Sequence, residues 1–375
     1  MRSIIGGRVA ASLTLFLSLI LTAAACGDDD DTAAIQAGLD TLVADEVAQH
    51  GFLGAGVSVR LADGRELATA AGHSDPAGAA VYDVATTEQV IGSTTKLYTA
   101  VLVMQLVEQG RIGLDAPVNR WLSFQGAGDI TVRMLLDHTS GLSDYLNLLT
   151  LPQLGQPWTP TMLLDVAVAA GPMGAPGMAK AIYSNTNYLV LAMIVEAETG
   201  ASWAENVATR IAAPLGLEHT YYAGERERAA HIAGGWLETD AGWLNTLTLF
   251  DPSVGWAVGA MVSTNVELRR FTEALFDSEL FESPATLAQM RDFATEMDPA
   301  FQSPGEPPSR VGLAITSMTS DGLTLEGHLG HIEGYNAAAL HDPETGALIV
   351  VTSNDDRAMG GPLAFKVARY LRDAP

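Results

Sequence analysis

A chain of 375 residues has room for one large domain or two interlocked lobes, and its 48% hydrophobic content is ample for a packed interior. Its 44 acidic against 20 basic residues leave a formal net charge of −24, which excludes nucleic acid as a partner, since a phosphate backbone needs a basic surface. With a single cysteine there is no intramolecular disulfide, so core burial alone must hold the fold.

The chain opens with Arg2 and Arg8, an uncharged apolar run from Val9 to Ala25, and the small residues Ala23-Ala24-Ala25. That order predicts a signal peptide over residues 1–25 and an exported protein. The only cysteine, Cys26, follows the alanines directly, and the acidic stretch Asp28 to Asp31 comes next. The arrangement resembles a bacterial lipoprotein signal, although Ala23 stands where leucine is preferred. It implies lipidation of Cys26, an acidic tether over 26–35 and attachment to a membrane at the cell envelope.

Leu39, Leu42 and Val47 at helical spacing predict an amphipathic helix over Ile35 to Val47. Two strands follow, Val57 to Arg60 and Glu66 to Ala71, around the turn Ala62-Asp63-Gly64-Arg65. Leu97, Val101, Met104 and Val107 predict a helix from Thr94 to Glu108 that ends at Gly110. From 111 to 300 glycine and proline punctuate mostly helical and loop segments, with a further apolar helix at Asn185 to Glu198. Strands then return at Val311 to Ile315, Leu323 to Glu326, Tyr335 to His341 and Ala347 to Thr352, and Gly360 to Asp373 closes as a helix. The first and last parts would complete one sheet. The domain 36–375 then divides into an α/β lobe, 36–110 with 301–375, and a helical lobe inserted at 111–300.

Only three lysines occur, Lys96, Lys180 and Lys366, and only Lys96 stands three residues after a serine. Serine is a weak nucleophile until a base takes its proton, and a lysine can do so when burial lowers its pKa toward roughly 7 to 8. Residues i and i+3 share a helix face, so Lys96 can reach Ser93, and the helix start adds a backbone N–H where an oxyanion would develop. Taken alone, the same two residues also fit an N-cap serine and a solvated lysine. His138, His219 and His231 are scattered and the cysteine lies at the signal, so no metal or other cofactor is expected.

Further along stand Tyr183-Ser184-Asn185 and Gly327-His328-Leu329-Gly330. With Ser93-Thr-Thr-Lys96 they make the chain resemble the penicillin-recognising serine hydrolases, the branch of class C beta-lactamases and serine D-alanyl-D-alanine carboxypeptidases. Supporting phrases are Thr131 to Leu142, Pro176-Gly177 and Pro214 to Leu217. A second Tyr-x-Asn, Tyr145-Leu146-Asn147, follows Thr139-Ser-Gly-Leu142 directly, whereas Tyr183 follows Pro-Gly and opens a helix as the family pattern does. The resemblance implies an α+β, beta-lactamase/transpeptidase-like fold, with an antiparallel sheet flanked by helices and an inserted all-helical lobe. It implies that Ser93 is acylated, with Lys96 and Tyr183 as its proton-transfer pair and Asn185 holding the substrate amide. His328 would help to set the charge near Tyr183. Gly330 would let its strand approach the substrate. The N–H groups of Ser93 and His331 would form the oxyanion hole, with His331 on the strand after Gly330.

Leu329 stands where relatives often carry a hydroxyl that binds a terminal carboxylate, and histidine replaces lysine at 328. The leading expectation is an envelope-anchored D-alanyl-D-alanine carboxypeptidase-like hydrolase of peptidoglycan peptides. The alternatives are an esterase or D-amino-acid amidase on small substrates, or a noncatalytic penicillin-binding-like envelope protein.

Overall fold

The computed structural model describes residues 26–225, 229–301 and 307–374; the expected signal peptide, 1–25, lies outside them. The first helix runs Cys26–His50, so the acidic stretch expected as a tether continues the helix instead. Its run of charged residues leaves helical backbone bonds intact, and Ile35, Leu39, Val43 and Val47 form the buried stripe.

Nine strands form one sheet. From one edge the order is Glu66–Gly72, Gly54–Arg60, Leu348–Ser353, Tyr335–His341, Leu323–Ile332, Thr316–Ser320, Ser309–Val311, Thr295–Met297 and Lys180–Ala181. All neighbours are antiparallel except the last pair. First and last parts of the chain do share the sheet, since Val57 pairs with Val351. Alternate residues feed two cores, as the pleat requires: Ala338, Leu340, Ile349 and Val351 meet the first and last helices, while Ala337, Ala339 and Val350 meet the helical layer.

The strand expected at Val311 to Ile315 is in fact a break. The chain leaves its strand at Val311, turns through Ala314 at φ 74°, and resumes at Thr316. Gly312 packs so tightly on the Met290 carbonyl that a methyl group would stand 2.1 Å from it. The apolar run marked burial against the helical layer rather than extension. Conversely, the strand expected to stop at Glu326 continues to Ile332, carrying the Gly327–Gly330 motif within it. Segments between 111 and 300 also contribute strands to the sheet, at Lys180–Ala181 and Thr295–Met297, and a helix, Asn265–Phe276, that packs beneath it.

Thr95–Glu108 is buried on nearly every side, which suits a helix apolar all round. It packs between Asn185–Thr199 and Pro252–Gly259, and Tyr98 stacks on Phe271 with ring centroids 3.7 Å apart. This central helix is what carries Lys96 into the interior.

Candidate active site

Ser93 lies in a single 3-10 turn, Gly92–Thr94, that leads into the helix Thr95–Glu108. It is not an N-cap: Thr94 holds that place, with no side-chain cap bond. The turn is pressed against the strand Leu323–Ile332. A methyl group on Gly92, whose φ is 53°, would stand 2.7 Å from His331 N, and one on Gly330 would stand 2.1 Å from the Ile91 carbonyl oxygen. Gly330 is small where its strand meets the backbone just before the nucleophile. His331 lies on the same strand as Gly330 rather than on the next one. The two glycines bring the backbone at Ser93 beside that at His331.

Lys96 is fully buried one helical turn on. Its Nζ lies 2.8 Å from Ser93 Oγ, 2.8 Å from Asn185 Oδ1 and 2.7 Å from the Val258 carbonyl oxygen. Burial lowers its pKa to about 7, against the opposing pull of the Asp144 carboxylate. Two of the three partners can only accept. Asn185 Oδ1 is fixed as an acceptor because Asn185 Nδ2 donates to Asp144 Oδ2 at 2.9 Å. A neutral amine donates to those two and turns its lone pair on the Ser93 hydroxyl.

Tyr183 donates to the same oxygen, at 2.9 Å. It sits between the short strand Lys180–Ala181 and the helix Asn185–Thr199, so its ring enters the cleft where helix and sheet meet. Lys96 Nζ stands 5.0 Å from the ring centroid. The competing Tyr145 is buried in the helical layer and donates to the Val254 carbonyl at 2.6 Å.

Asn185 proves to be more a strut than a free hand, since its carboxamide already links Lys96 to Asp144 and one N–H remains for substrate. Burial pushes the Asp144 carboxyl up, although N–H groups and Lys96 pull it down. Sequence reasoning missed Asp144; its only signal is its position one residue before the rejected Tyr-x-Asn. Val258 was equally invisible, because only its backbone acts. Its carbonyl reaches Lys96 through a kink at Trp256, a buried non-glycine residue at φ 26°, and Ala257 O accepts from Thr99 beside it. A strained backbone at a functional cation is a recurrent pattern.

His328 is buried within 6.2 Å of the Tyr183 ring, and burial with the nearby Lys96 lowers its pKa to about 3. It is therefore neutral, with Nδ1 donating to the Leu329 carbonyl at 2.5 Å, and adds no positive charge beside the phenol. His331 exposes its ring at the cleft rim, 3.1 Å from Asp356. Leu329 packs against Gly361 of the last helix and the core on that side of the sheet. Arg310, on the strand Ser309–Val311, is held by Glu296 and the carbonyls of Phe293 and Ala294.

Ser93, Tyr183, Asn185 and His328 line a cleft of about 690 Å³. Leu146, Leu149, Leu154, Phe250 and Val254 give it an apolar wall, and its acidic groups are Asp144, Asp251 and Glu333. Among the described lining residues there is no arginine, and the sole lysine at the site is Lys96, beneath its floor.

The beta-lactamase family model matches residues 39–370. The chain belongs to that family. Among solved beta-lactamase-like structures, the D-amino acid amidase from Ochrobactrum anthropi SV3, complexed with D-phenylalanine, superposes with a TM-score of 0.82 at 26% identity, covering 91% of this chain and all of that one. A D-stereospecific amidohydrolase from Streptomyces sp. gives 0.71 at 28% identity over 89% of this chain and 97% of the other. The teichoic acid D-alanine hydrolase of Staphylococcus aureus is 28% identical over 214 residues, 56% of this chain. The chain spans about half the length, 51%, of the curated relatives it matches. A penicillin-binding protein from Bacillus halodurans, 20% identical with a TM-score of 0.75, shares the beta-lactamase-like fold.

Proposed function

We propose that this beta-lactamase-family serine hydrolase cleaves D-aminoacyl amides or esters through an acyl-enzyme on Ser93. The observation that carries the mechanism is the double engagement of Ser93 Oγ, by the Lys96 amine at 2.8 Å and the Tyr183 phenol at 2.9 Å. Lys96 takes the hydroxyl proton as Oγ bonds to the carbonyl carbon, and the N–H groups of Ser93 and His331 take the oxyanion. Tyr183 gives its proton to the departing amine or alcohol as that bond breaks. Its phenolate then takes a proton from water, the hydroxide releases the acid, and Lys96 returns its proton to Ser93.

The choice of substrate rests on charge. A free terminal carboxylate calls for a cationic partner; Leu329 offers no donor, Arg310 is held by Glu296 and two carbonyls, and the cleft's hydroxyls, such as Thr246, Ser309 and Thr316, are neutral. An acidic rim instead favours a substrate with a free ammonium group. The amidase and D-alanine hydrolase relatives support the same reading, with the carboxypeptidase as the second one. Turnover of D-alanine amide and a D-alanyl ester beside a peptide ending in D-Ala-D-Ala tests it. Faster release from the amide or ester is expected, and a kcat/KM that favours the carboxylate-ended peptide would overturn the substrate choice. We also place the protein at the cell envelope, exported and lipid-anchored at Cys26, because that cysteine directly follows an apolar run and three alanines. Failure of the expressed full chain to incorporate a labelled fatty acid, or incorporation that persists in Cys26→Ser, would remove that placement.

A further inference from the structure

One buried side chain grips the tyrosine that the proposed mechanism uses. His138 lies in the loop after the short helix Val132–Leu136, 2% exposed, in a left-handed backbone conformation at φ 59° that a residue with a side chain adopts at a cost. Its carbonyl accepts from Ile182 N at 3.0 Å, and its Nδ1 accepts from Ser184 N at 3.2 Å. The residue thus brackets Tyr183 from both neighbours in sequence. Its ring also stacks on the Tyr183 ring, with centroids 4.5 Å apart and planes 25° from parallel, and meets Tyr188 at 5.2 Å behind.

The orientation of the imidazole is itself fixed. A backbone N–H can only donate, so Nδ1 is the acceptor and the ring proton sits on Nε2. Asn187 Nδ2 reaches the same Nδ1 at 3.0 Å, and Asn187 Oδ1 accepts from Ser140 Oγ at 2.5 Å. Burial, with Lys96 and His328 nearby, holds the His138 pKa well below its usual value, so the ring is neutral. The loop that carries it is latched to the segment before Tyr183, with Met173 N donating to Gly141 O at 2.8 Å and Gly177 N to Thr139 O at 2.9 Å.

We infer that His138 is a positioning residue for proton transfer: by stacking on Tyr183 and accepting from Ser184 N–H, it aims the Tyr183 phenol at Ser93 Oγ. The inference rests on the proposed role of Tyr183 and sharpens it. Burial alone would be served by any apolar side chain without the strained backbone or the fixed acceptor. Tyr183 delivers a proton to the leaving group, so loss of its aim should matter most where the leaving group needs one.

The test compares a D-alanyl p-nitrophenyl ester, whose leaving group departs as an anion, with D-alanine amide, whose leaving group must be protonated. The variants are His138→Asn, which tolerates the left-handed backbone and keeps a short acceptor but removes the ring, and His138→Phe, which keeps a ring and removes the acceptor. His138→Asn should lower kcat/KM, which reports acylation and not the deacylation common to both substrates, by roughly 10- to 100-fold on the amide and by less than about threefold on the ester. Should His138→Phe alone unfold, His138→Asn still decides the point, because it is scored by the ratio of the two substrates in folded protein. Equal losses of kcat/KM on both substrates, or no loss, overturn the inference. Tyr183→Phe serves as the separate control: if it shows no leaving-group selectivity, the proposed role of Tyr183 fails, whereas selectivity in Tyr183→Phe without it in His138→Asn removes His138 alone.

Discussion

Lys96 and Tyr183 reach the same serine oxygen from supports of opposite kinds. Lys96 stands on a regular helix, fully buried, with every N–H of its charged form met by an acceptor. Tyr183 stands in an irregular segment, half-buried, its ring held by stacking and its backbone by a loop brought from 45 residues earlier in the chain. The backbone that carries the base is thus set by local helix geometry, with its amine then held by Asn185 and the Val258 carbonyl, whereas the acid owes even its backbone placement to tertiary contacts. That difference predicts which side of the site tolerates change.

Loss of the base should do most damage. Lys96→Met is expected to lower kcat/KM by about 10³- to 10⁴-fold, since the other side chain on Ser93 Oγ, Tyr183, donates to it. Steady-state kinetics on D-alanine amide would measure it, and a loss under tenfold would break the asymmetry. Tyr183→Phe should cost about 10²- to 10³-fold on an amide and much less on an activated ester. Gly330→Ala probes the contact between the two supports: its methyl would stand 2.1 Å from the Ile91 oxygen, so strand and nucleophile turn must part. We expect roughly tenfold or greater loss of kcat with about 1–3 kcal/mol of destabilisation in a denaturant titration.

The pH profile sharpens the comparison further. Because burial brings Lys96 to about pH 7, its free amine grows as pH rises through that value, and kcat/KM should climb about tenfold per unit below it and level above. A profile flat from pH 5 to 8 would contradict the base. His328 acts on stability with its own sign. Its folded pKa of about 3 lies below the ordinary 6.5, so its neutral burial supports folding fully above about 6.5, and that support is lost as pH falls toward 3. Thermal melts of wild type and His328→Gln over that window should converge as the pH falls, the variant having no group to charge.

The same asymmetry explains what was legible in the sequence. Ser93 and Lys96 are readable because one tight turn into a helix sets their spacing, the helix Gly360–Asp373 because its apolar pattern is periodic, and the strand Tyr335–His341 because Gly334 and Asp342-Pro343 bound a mostly apolar run. The run Val311 to Ile315 misled because apolarity reports burial, and here a turn is buried against the helical layer. The need for a small residue at Gly330 is legible, but its contact with Ile91 appears only in the packed strand. Asp144, Val258 and His138 act through contacts 41, 162 and 46 residues distant, which no local pattern encodes.

The central claim is that Ser93 is the acylated residue, activated by Lys96. Intact-mass analysis after exposure to a fluorophosphonate tests it most directly. The account predicts one adduct, mapped to Ser93 by peptide fragmentation, absent from Ser93→Ala and forming far more slowly in Lys96→Met. An adduct that persists in Ser93→Ala, or a folded wild-type protein that takes none, would contradict it.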